Sequence, residues 1–534
     1  MLKNLDMKFY LSVFVNALMM VLIVHSFMFF QVWWGDHDWG YLKDGVGYFD
    51  GAFELRYSQH WFNALFFDGH IIHTLSFLFS FVFMVMNAIL MAKYLDIPKN
   101  KMYYLVFVLF FGLNPHNFAL LYYVYLCFPF FGWSFMGIVT LIMSEVMFRR
   151  NMRVGVIFLG VLWGMILGSY PANMALFFVL FIARRILCFI DNKEDVRQVF
   201  RCSFFFVSQF LIGVLIFKLA FLYIEHLSLL NEGMYNIKVL GVFDIVKKLP
   251  REFLNAIKVF FVARSFMEYG YIALQCVIVL FGSVKLFSQS KNKMFVGVMF
   301  VGMLLASRFV FCVSGAGGIA VFRLEYFGKI GLLAFFLALI MRDNSNVMKN
   351  VIYIWGVVVI LFFSLTDFYI QKVQYLGFIS GRKYQQKLLE RLLLNETFKS
   401  DKSYISYSFG FPNFKLKFVD DKYLTDEMTG KYIVFYFDII NHLFWEDGFS
   451  PVAVGVELMG KNGVFKFKRG NDEFWRSGAW VNNPENIKNI RLWAYDINRK
   501  QNDIYVDDKY ILNILDIDKF YKNREVLING LDKF

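Results

Sequence analysis

Eleven long apolar runs divide the first two thirds of the chain, and they constrain its fold more than any other feature. A helix needs about 20 apolar residues to cross the hydrocarbon core of a bilayer, and each run is close to that length. These runs predict an all-α polytopic membrane protein with about eleven transmembrane helices. They cover residues 10–34, 71–95, 102–121, 127–148, 154–169, 172–190, 202–226, 269–287, 294–313, 325–341 and 349–367.

Composition agrees with a membrane protein. Hydrophobic residues make up 58% of the 534 residues, whereas soluble domains contain about 45–50% apolar residues. The first run follows Lys3 and Lys8 and is too long for a cleavable signal, so we expect it to remain as an anchor. All five cysteines lie in or beside apolar runs, so no disulfide framework is implied. Basic loops beside a membrane explain much of the net charge of +13, and no nucleic-acid partner is indicated.

Basic residues near the ends of the runs predict the orientation. Lysine and arginine concentrate in the turns after the second, fourth, sixth, eighth and tenth runs, and such turns are typical of the cytoplasmic side. The first loop (residues 35–70), the segment 227–268 and the C-terminal part are therefore expected on the outer side. One span more or fewer would reverse the side of the C-terminal part. The basic residues are Lys93, Lys99, Lys101, Arg149, Arg150, Arg153, Arg184, Arg185, Lys193, Arg197, Arg201, Lys285, Lys291, Lys293, Arg342 and Lys349.

The chain is predicted to contain three parts. Residues 1–367 form the membrane part, in which 227–268 carries basic residues between apolar ones at helical spacing, a pattern typical of an interfacial amphipathic helix. Residues 368–399 read as a helical connector. In 400–534, short alternating runs such as VAVGVEL and VFKFK are separated by Gly, Asn and Asp, so we expect a small β-rich domain outside the cytoplasm.

The first loop is unusually rich in acids and aromatic residues, as the stretch WWGDHDWGYLKDG shows. Asp36 and Asp38 follow the first run directly. A partly desolvated carboxylate has a raised proton affinity and can act as a general base. On the outer side, the corresponding task is removal of a proton from a sugar hydroxyl. The alternative is that both are solvated loop acids or caps of a short helix.

Two arginines stand at the outer ends of late spans. Arg308 and Arg323 could together bind a phosphate group in a two-pronged way, and an arginine inside a membrane is a functional candidate by default. The alternative is that both side chains extend to the outer lipid headgroups.

Histidines cluster near the same loop, at His37, His60, His70 and His73. Acids lie close to them in the sequence, so a divalent metal is conceivable. Their spacing fits no zinc pattern, and we therefore predict neither a metal nor another cofactor.

Three segments resemble one known family. GDHDWGYL followed by FELRYSQHWFNALFFDGHII resembles the first outer loop of the bacterial type II O-antigen glucosyltransferase family. Leu55 replaces the usual glycine, and Asp-His-Asp replaces adjacent acids, which leaves open which of Asp36 and Asp38 is the base. GSYPANMALFFVLF (168–181) and FRLEYFGKIGLL (322–333) are similar to two further family segments. The resemblance extends over about residues 10–390.

The resemblance implies a membrane glycosyltransferase of the GT-C class in the bacterial inner membrane, with its active site on the periplasmic side. The donor would be a glucose-like hexose on a polyprenyl phosphate, and the acceptor would be a glycan hydroxyl such as that of an O-antigen. Asp36 or Asp38 would be the base, and basic residues would stabilise the charge growing on the phosphate. The residues expected to bind donor phosphate or substrate are Arg56, Arg308, Arg323, His37, Gln59 and Tyr170.

Two other functions remain open from the sequence. A glycolipid transporter or flippase would share the spans and the buried arginines, although the chain shows no halves related by a repeat. A ligase or oligosaccharyltransferase would transfer a whole glycan chain with the same acids, often with a metal. The chain contains neither a G-x-G-x-x-G nor a Walker pattern, so a nucleotide donor is not indicated.

Overall fold

The computed structural model describes residues 6–31, 45–48, 56–121, 123–152, 154–226, 241–262, 266–290, 292–313, 322–343 and 345–396, with five strands between 405 and 514. The chain divides into two compact units, Met1–Lys372 with Asp421–Gly430, and Val373–Asp420 with Lys431–Phe534. In its described part, the first unit consists of helices and turns. The second contains the end of a long helix and the five strands.

Sixteen α-helices occur in the described residues. They are α1 (Met7–Val24), α2 (Ser26–Phe30), α3 (Trp61–Phe67), α4 (His73–Tyr94), α5 (Lys101–Gly112), α6 (Phe118–Leu121), α7 (Val124–Arg149), α8 (Gly155–Leu167), α9 (Asn173–Ile190), α10 (Val196–His226), α11 (Val242–Lys258), α12 (Phe266–Gln289), α13 (Lys293–Ser307), α14 (Phe309–Val313), α15 (Phe322–Met341) and α16 (Asn346–Leu393). A 3-10 turn, Pro115–Asn117, precedes α6.

The predicted multi-pass helical architecture is confirmed. Within the described ranges, nine helices are long and apolar enough to cross a membrane, and α8 and α13 are shorter apolar helices. Together these coincide one for one with the eleven apolar runs. The amphipathic pattern in 227–268 likewise corresponds to helix α11.

Two boundaries differ from the sequence expectation. The first run was expected to be helical over 10–34, but α1 ends at Val24 and a short second helix begins at Ser26. At the junction, the His25 ring nitrogen Nδ1 lies 3.0 Å from the carbonyl oxygen of Val21. At the other end, α16 runs without a break through the predicted connector. No glycine or proline stands at the change from apolar to polar residues near 368, so nothing ends the helix there.

The first unit has a central layer and a periphery. Of the apolar 18-residue stretches within the spans Lys101–Leu121 and Leu324–Met341, 94% of the residues are buried, whereas the figure is 17% for the corresponding stretch of Val196–Tyr223 and 22% for Met7–Val24. The exposed face of α10 is apolar and includes Phe204 and Leu211. An exposed apolar face of this length is what a helix in contact with lipid requires. Helices α5, α6 and α15 are therefore the core, and α9, α12 and α13 pack on α15.

Ion pairs join the helix ends at one end of the bundle. Arg185 is fully buried and pairs with Glu145 and Glu194. The hydrogen bond from Lys285 lowers the pKa of the Asp343 carboxyl to about 2. The remaining pairs of this end are Arg149–Glu145, Arg184–Asp96, Lys193–Asp96, Lys193–Asp191 and Arg342–Asp191. These residues come from all five turns that the basic residues predicted to share the cytoplasmic side, so the turns do meet. Which side of the membrane they occupy stays a prediction.

The strands of the second unit form one mixed sheet. They are β1 (Ile405–Phe409), β2 (Ala453–Met459), β3 (Lys466–Phe467), β4 (Ile504–Val506) and β5 (Tyr510–Ile514), in the order β3-β2-β1-β5-β4. Strand β1 is central and pairs in parallel with both β2 and β5, while the outer pairs are antiparallel. The other residues of 400–534 lie outside the described part, and the β-rich domain remains a prediction.

A close helix contact at the C-terminal end of α13 gives a test of the packing. A Cβ at Gly328 in α15 would overlap the carbonyl oxygen of Ser307, whereas a Cβ at Gly297 in α13 would meet nothing within 4 Å. Overpacking costs about 1–3 kcal/mol. We therefore expect Gly328→Ala to lower the melting temperature of the detergent-solubilised protein.

The matched control is Gly297→Ala, which adds the same methyl group to a helix interior with open space around it. Alanine favours a helix over glycine by up to about 1 kcal/mol, so this change should leave the melting temperature unchanged or raise it. Equal melting temperatures for the two variants would contradict the contact between α13 and α15.

The orientation can be tested with single cysteines in a background where the five native cysteines are serine. His70 and Asn192 are both exposed, at the predicted outer and cytoplasmic ends respectively. In spheroplasts, His70→Cys should react with an impermeant maleimide, and Asn192→Cys should react only after permeabilisation. The reverse labelling would invert the predicted orientation.

Candidate functional site

The end of the first loop is fixed onto the turn between α8 and α9. The backbone N–H of Ser58 donates to the carbonyl oxygen of Gly168 at 3.0 Å, and its hydroxyl donates to the carbonyl oxygen of Met165 at 2.6 Å. The Tyr57 hydroxyl donates to the carbonyl oxygen of Gly164 at 2.7 Å. Two segments that lie more than 100 residues apart in the sequence therefore form one structure.

An earlier part of the loop is also anchored. The backbone N–H of Val46 donates to the carbonyl oxygen of Gly69 at 2.7 Å. Gly69 has a φ of +80°, and a Cβ there would collide with Val46. Only glycine adopts this left-handed backbone without strain, so the turn after α3 is shaped to receive the loop.

Tyr170 is the point where the three family-like segments meet. The Arg56 guanidinium carbon lies 5.0 Å from the centre of the Tyr170 ring, and the Phe327 ring of α15 lies 6.0 Å from it. Phe130 of α7 packs on the same ring at 4.9 Å. The first loop, the α8–α9 turn and α15 are thus in direct contact, as a shared site requires.

Two further residues of this region are buried: Gln59, a predicted substrate-binding residue, and His60, which belongs to the histidine group near the first loop. Gln59 is 3% exposed and His60 is 2% exposed, and the His60 ring stacks on Tyr125. Burial, with a smaller contribution from Arg56, lowers the pKa of His60 from 6.5 to about 3. His60 is therefore neutral at ordinary pH, because burial disfavours its charged form.

Four predicted positions cannot be compared with the structure. Asp36, His37 and Asp38 lie outside the described residues. The backbone of Arg323 lies in the first turn of α15, and its side chain is also outside the described part. The roles expected for these residues remain predictions.

A polar cavity of about 220 Å³ lies between α11, α12 and α15, at the same end of the bundle as the 3-10 turn. It is lined by His116, Arg251, Glu252, Asn255, Lys258, Val259, Val262, Glu268, Arg308, Phe311, Glu325, Tyr326 and Lys329. Four of these side chains are cations and three are carboxylates. Charged side chains are costly in a membrane and are usually retained for function, so this cavity is the strongest candidate site among the described residues.

Arg308 is buried in the wall of this cavity and is bound on two sides. Its Nε donates to Glu252 of α11 at 3.0 Å, and its Nη1 donates to Glu325 of α15 at 2.7 Å. The guanidinium also lies 3.8 Å from the centre of the Phe311 ring. Arg308 was predicted to bind a phosphate. In the structure its guanidinium already donates to two carboxylates.

A histidine and a carboxylate face each other in the same cavity. His116 Nε2 lies 3.6 Å from Glu268 Oε1, and the His116 ring packs 4.2 Å from the ring centre of Tyr271. His116 lies in the turn NPHN. The Asn114 side chain stabilises this turn by accepting a hydrogen bond from the His116 backbone N–H at 3.1 Å. This residue was not predicted from the sequence.

Helix α15 connects the cavity with the Tyr170 cluster. Tyr326 lines the cavity, and its hydroxyl donates to the side chain of Asn117. The next residue, Phe327, packs on Tyr170. Adjacent residues of one helix thus belong to the two features, which are neighbours at the end of the bundle opposite the ion-pair network.

An apolar groove lies between α3, α7 and α8. It encloses about 180 Å³ and is lined by Trp61, Phe62, Leu65, Trp133, Met136, Leu162, Met165 and Ile166. The Trp133 indole N–H donates to the carbonyl oxygen of Ser58 at 2.9 Å. The end of the first loop is therefore held beside an apolar surface that is suited to a lipid chain.

The described part of the chain holds no group of three or more His, Cys, Asp or Glu side chains that could bind a metal ion.

No protein-family model, curated protein or solved structure matches the chain. The functional argument therefore depends on the residues themselves.

Sequence reasoning missed the partners of the buried charges. Glu268 and Glu325 stand beside and at the start of apolar runs, and that position was an available signal, whereas Glu252 lies within the basic amphipathic segment 227–268. A carboxylate in an apolar run indicates a buried cation on another helix. The sequence does not say which helix supplies it.

The cluster around Tyr170 predicts different effects for two substitutions. A cation over an aromatic face contributes about 0.5–1 kcal/mol at an accessible site and more when desolvated. Tyr170→Leu should therefore lower the melting temperature, and in a double-mutant cycle its effect and that of Arg56→Gln should not be additive.

Tyr170→Phe retains the ring and is the matched control. Its melting temperature should stay near that of the parent, and its effect should add to that of Arg56→Gln. If phenylalanine and leucine at this position behave alike, the ring–guanidinium contact contributes nothing measurable, and Tyr170 would interact through its hydroxyl.

Proposed function

We propose that this protein is a membrane glycosyltransferase that moves a hexose from a polyprenyl phosphate to a glycan hydroxyl. The observation that carries the proposal is the meeting of the three family-like segments at Tyr170, beside a charged cavity in an otherwise apolar bundle. A chance likeness of three separate segments would not require that they pack together. We further propose a GT-C-like bundle with its site facing the periplasm.

The reaction would be a single displacement at the anomeric carbon. The acceptor oxygen attacks that carbon, the bond to the phosphate oxygen breaks with its electron pair, and polyprenyl phosphate leaves. The proton of the acceptor hydroxyl passes to Asp36 or Asp38 of the first loop. Cations stabilise the charge that grows on the phosphate. The candidates from the sequence are Arg56, Arg308 and Arg323, and Arg308 already donates to two carboxylates, so Arg56 and Arg323 are the two proposed for this role.

The arrangement of polar and apolar surfaces supports a lipid-linked donor. The charged cavity suits a phosphate, and the apolar groove beside Trp61 and Trp133 suits a hydrocarbon chain. A donor of this kind has one charged group and one long apolar chain, so it needs both kinds of surface close together. The second unit, with its β-strands, is proposed to lie on the outer side as a β-rich domain.

A transporter remains the second candidate because of one buried pair. His25 Nε2 lies 3.5 Å from Asp367 Oδ2, and neither side chain is exposed. The nearby Gln371 side chain donates to the carbonyl oxygen of Val24 at 2.9 Å. A titratable pair at this depth is common in proton-coupled transport. A transporter would move a lipid-linked sugar intact, whereas a transferase would cleave it.

The deciding experiment uses the full chain reconstituted in liposomes with a polyprenyl-phosphate hexose and a lipid-linked glycan acceptor. A transferase produces glycosylated acceptor and free polyprenyl phosphate in equal amounts. Movement of intact donor across the bilayer, without cleavage, would overturn the proposal and favour the transporter.

If the reaction is observed, the acids of the first loop can be ranked. A placed general base contributes about 10²–10⁴ in rate, so Asp36→Asn or Asp38→Asn should lower kcat by that factor at saturating donor and acceptor. The variant of the other acid should lose less. Asp44→Asn, in the same loop but outside the family-like segments, is the control and should stay near the parent rate. Turnover within threefold of the parent for both Asp36→Asn and Asp38→Asn would exclude these two acids as the base.

A further inference from the structure

Helix α11 presents one polar side to the cavity. Its cavity-lining residues recur at helical spacing, at positions 251, 252, 255 and 258, so they lie on one face. Phe243, Leu254 and Phe261 are exposed apolar residues of the same region. A basic helix attracted only by the charge of a lipid surface would not need to place cations in the wall of a cavity.

Charge pairing separates the cations of the cavity into two groups. Arg308 is held between Glu252 and Glu325. By contrast, Arg251 and Lys258 are exposed at the cavity and have no ion-pair partner among the described residues. The fourth cation, Lys329, is buried, and its Nζ lies 4.9 Å from the centre of the Tyr271 ring. The carboxylates of the wall already face Arg308 or His116, so the exposed positive charge at the cavity is that of α11.

We propose that Arg251 and Lys258 bind the phosphate of a lipid-linked substrate, and that Arg308 holds α11 in place through Glu252. A volume of about 220 Å³ is below the ~300–1,000 Å³ of sites for drug-sized ligands, so it suits a phosphate with part of one sugar. The assignment rests on the proposed function only for the lipid nature of the ligand. The proposed ligand-binding helix is α11, for which the sequence pattern predicted only attachment to the membrane surface.

The test measures binding of polyprenyl phosphate without a sugar, in nanodiscs of zwitterionic lipid that contain the full chain. Arg251→Gln and Lys258→Gln should each raise Kd about tenfold or more, which corresponds to about 1.4 kcal/mol. Lys247→Gln is the matched control, because Lys247 is an exposed cation of the same helix that does not line the cavity. Its Kd should stay within twofold of the parent.

Three outcomes would overturn the assignment. Equal and small effects of all three changes would show general attraction to an anionic lipid, and unchanged Kd values would show no contact with the phosphate. Inorganic phosphate is titrated at constant ionic strength in the same variants. If it binds as tightly as polyprenyl phosphate, with the same dependence on Arg251 and Lys258, then the ligand is a free phosphate.

The role of Arg308 is tested in the same assay by a double-mutant cycle with Arg251. If Arg308 acts through α11, the effects of Arg308→Gln and Arg251→Gln on Kd are not additive, because either change alone disturbs the same contact. Additive effects would show that Arg308 binds the phosphate independently. Binding with the expected pattern, but without sugar transfer in the liposome assay, would reject the transferase and leave this site standing.

Discussion

The need to pair charges inside an apolar bundle determines how the first unit is arranged. Removing one partner of a buried ion pair typically costs about 3–5 kcal/mol, so each buried arginine fixes the helices that supply its carboxylates. Arg185 binds acids of α7 and of the turn after α9. Arg308 binds acids of α11 and α15. The two clusters lie at opposite ends of the bundle, and between them the central helices are almost wholly apolar.

This pairing also explains how α11 is held against the bundle although its sequence is strongly basic. Glu252 is buried and bound to Arg308, and Ala256 and Phe260 are buried on the same helix. One side of α11 is thus attached to the bundle by a salt bridge and by apolar packing. Of the basic residues that remain, Arg251 and Lys258 are exposed and line the cavity.

Hydropathy and length were sufficient to locate the helices, because a membrane span requires a continuous apolar run. The eleven runs correspond to helices, and the basic turns meet at one end as expected. The contact between Arg56 and Tyr170 could be anticipated only through the family resemblance. The pairs Arg308–Glu252 and His116–Glu268 could not be predicted, because their members are far apart in the sequence. The separation is 56 positions in the first pair and 152 in the second, and each contact depends on which helices are neighbours. The stop of α1 before His25 was missed because hydropathy is insensitive to a single polar side chain.

An arginine in an apolar run can therefore have either of two roles, and the sequence alone does not distinguish them. It can bind a ligand, or it can bind a carboxylate of another helix and so build the wall of a site. The desolvation of a guanidinium is offset only by close partners, and at Arg308 those partners are protein carboxylates. Cations that keep contact with water do not need such partners and remain available to a ligand. In this protein they lie on α11, a helix whose sequence by itself indicates nothing more than attachment to a membrane surface.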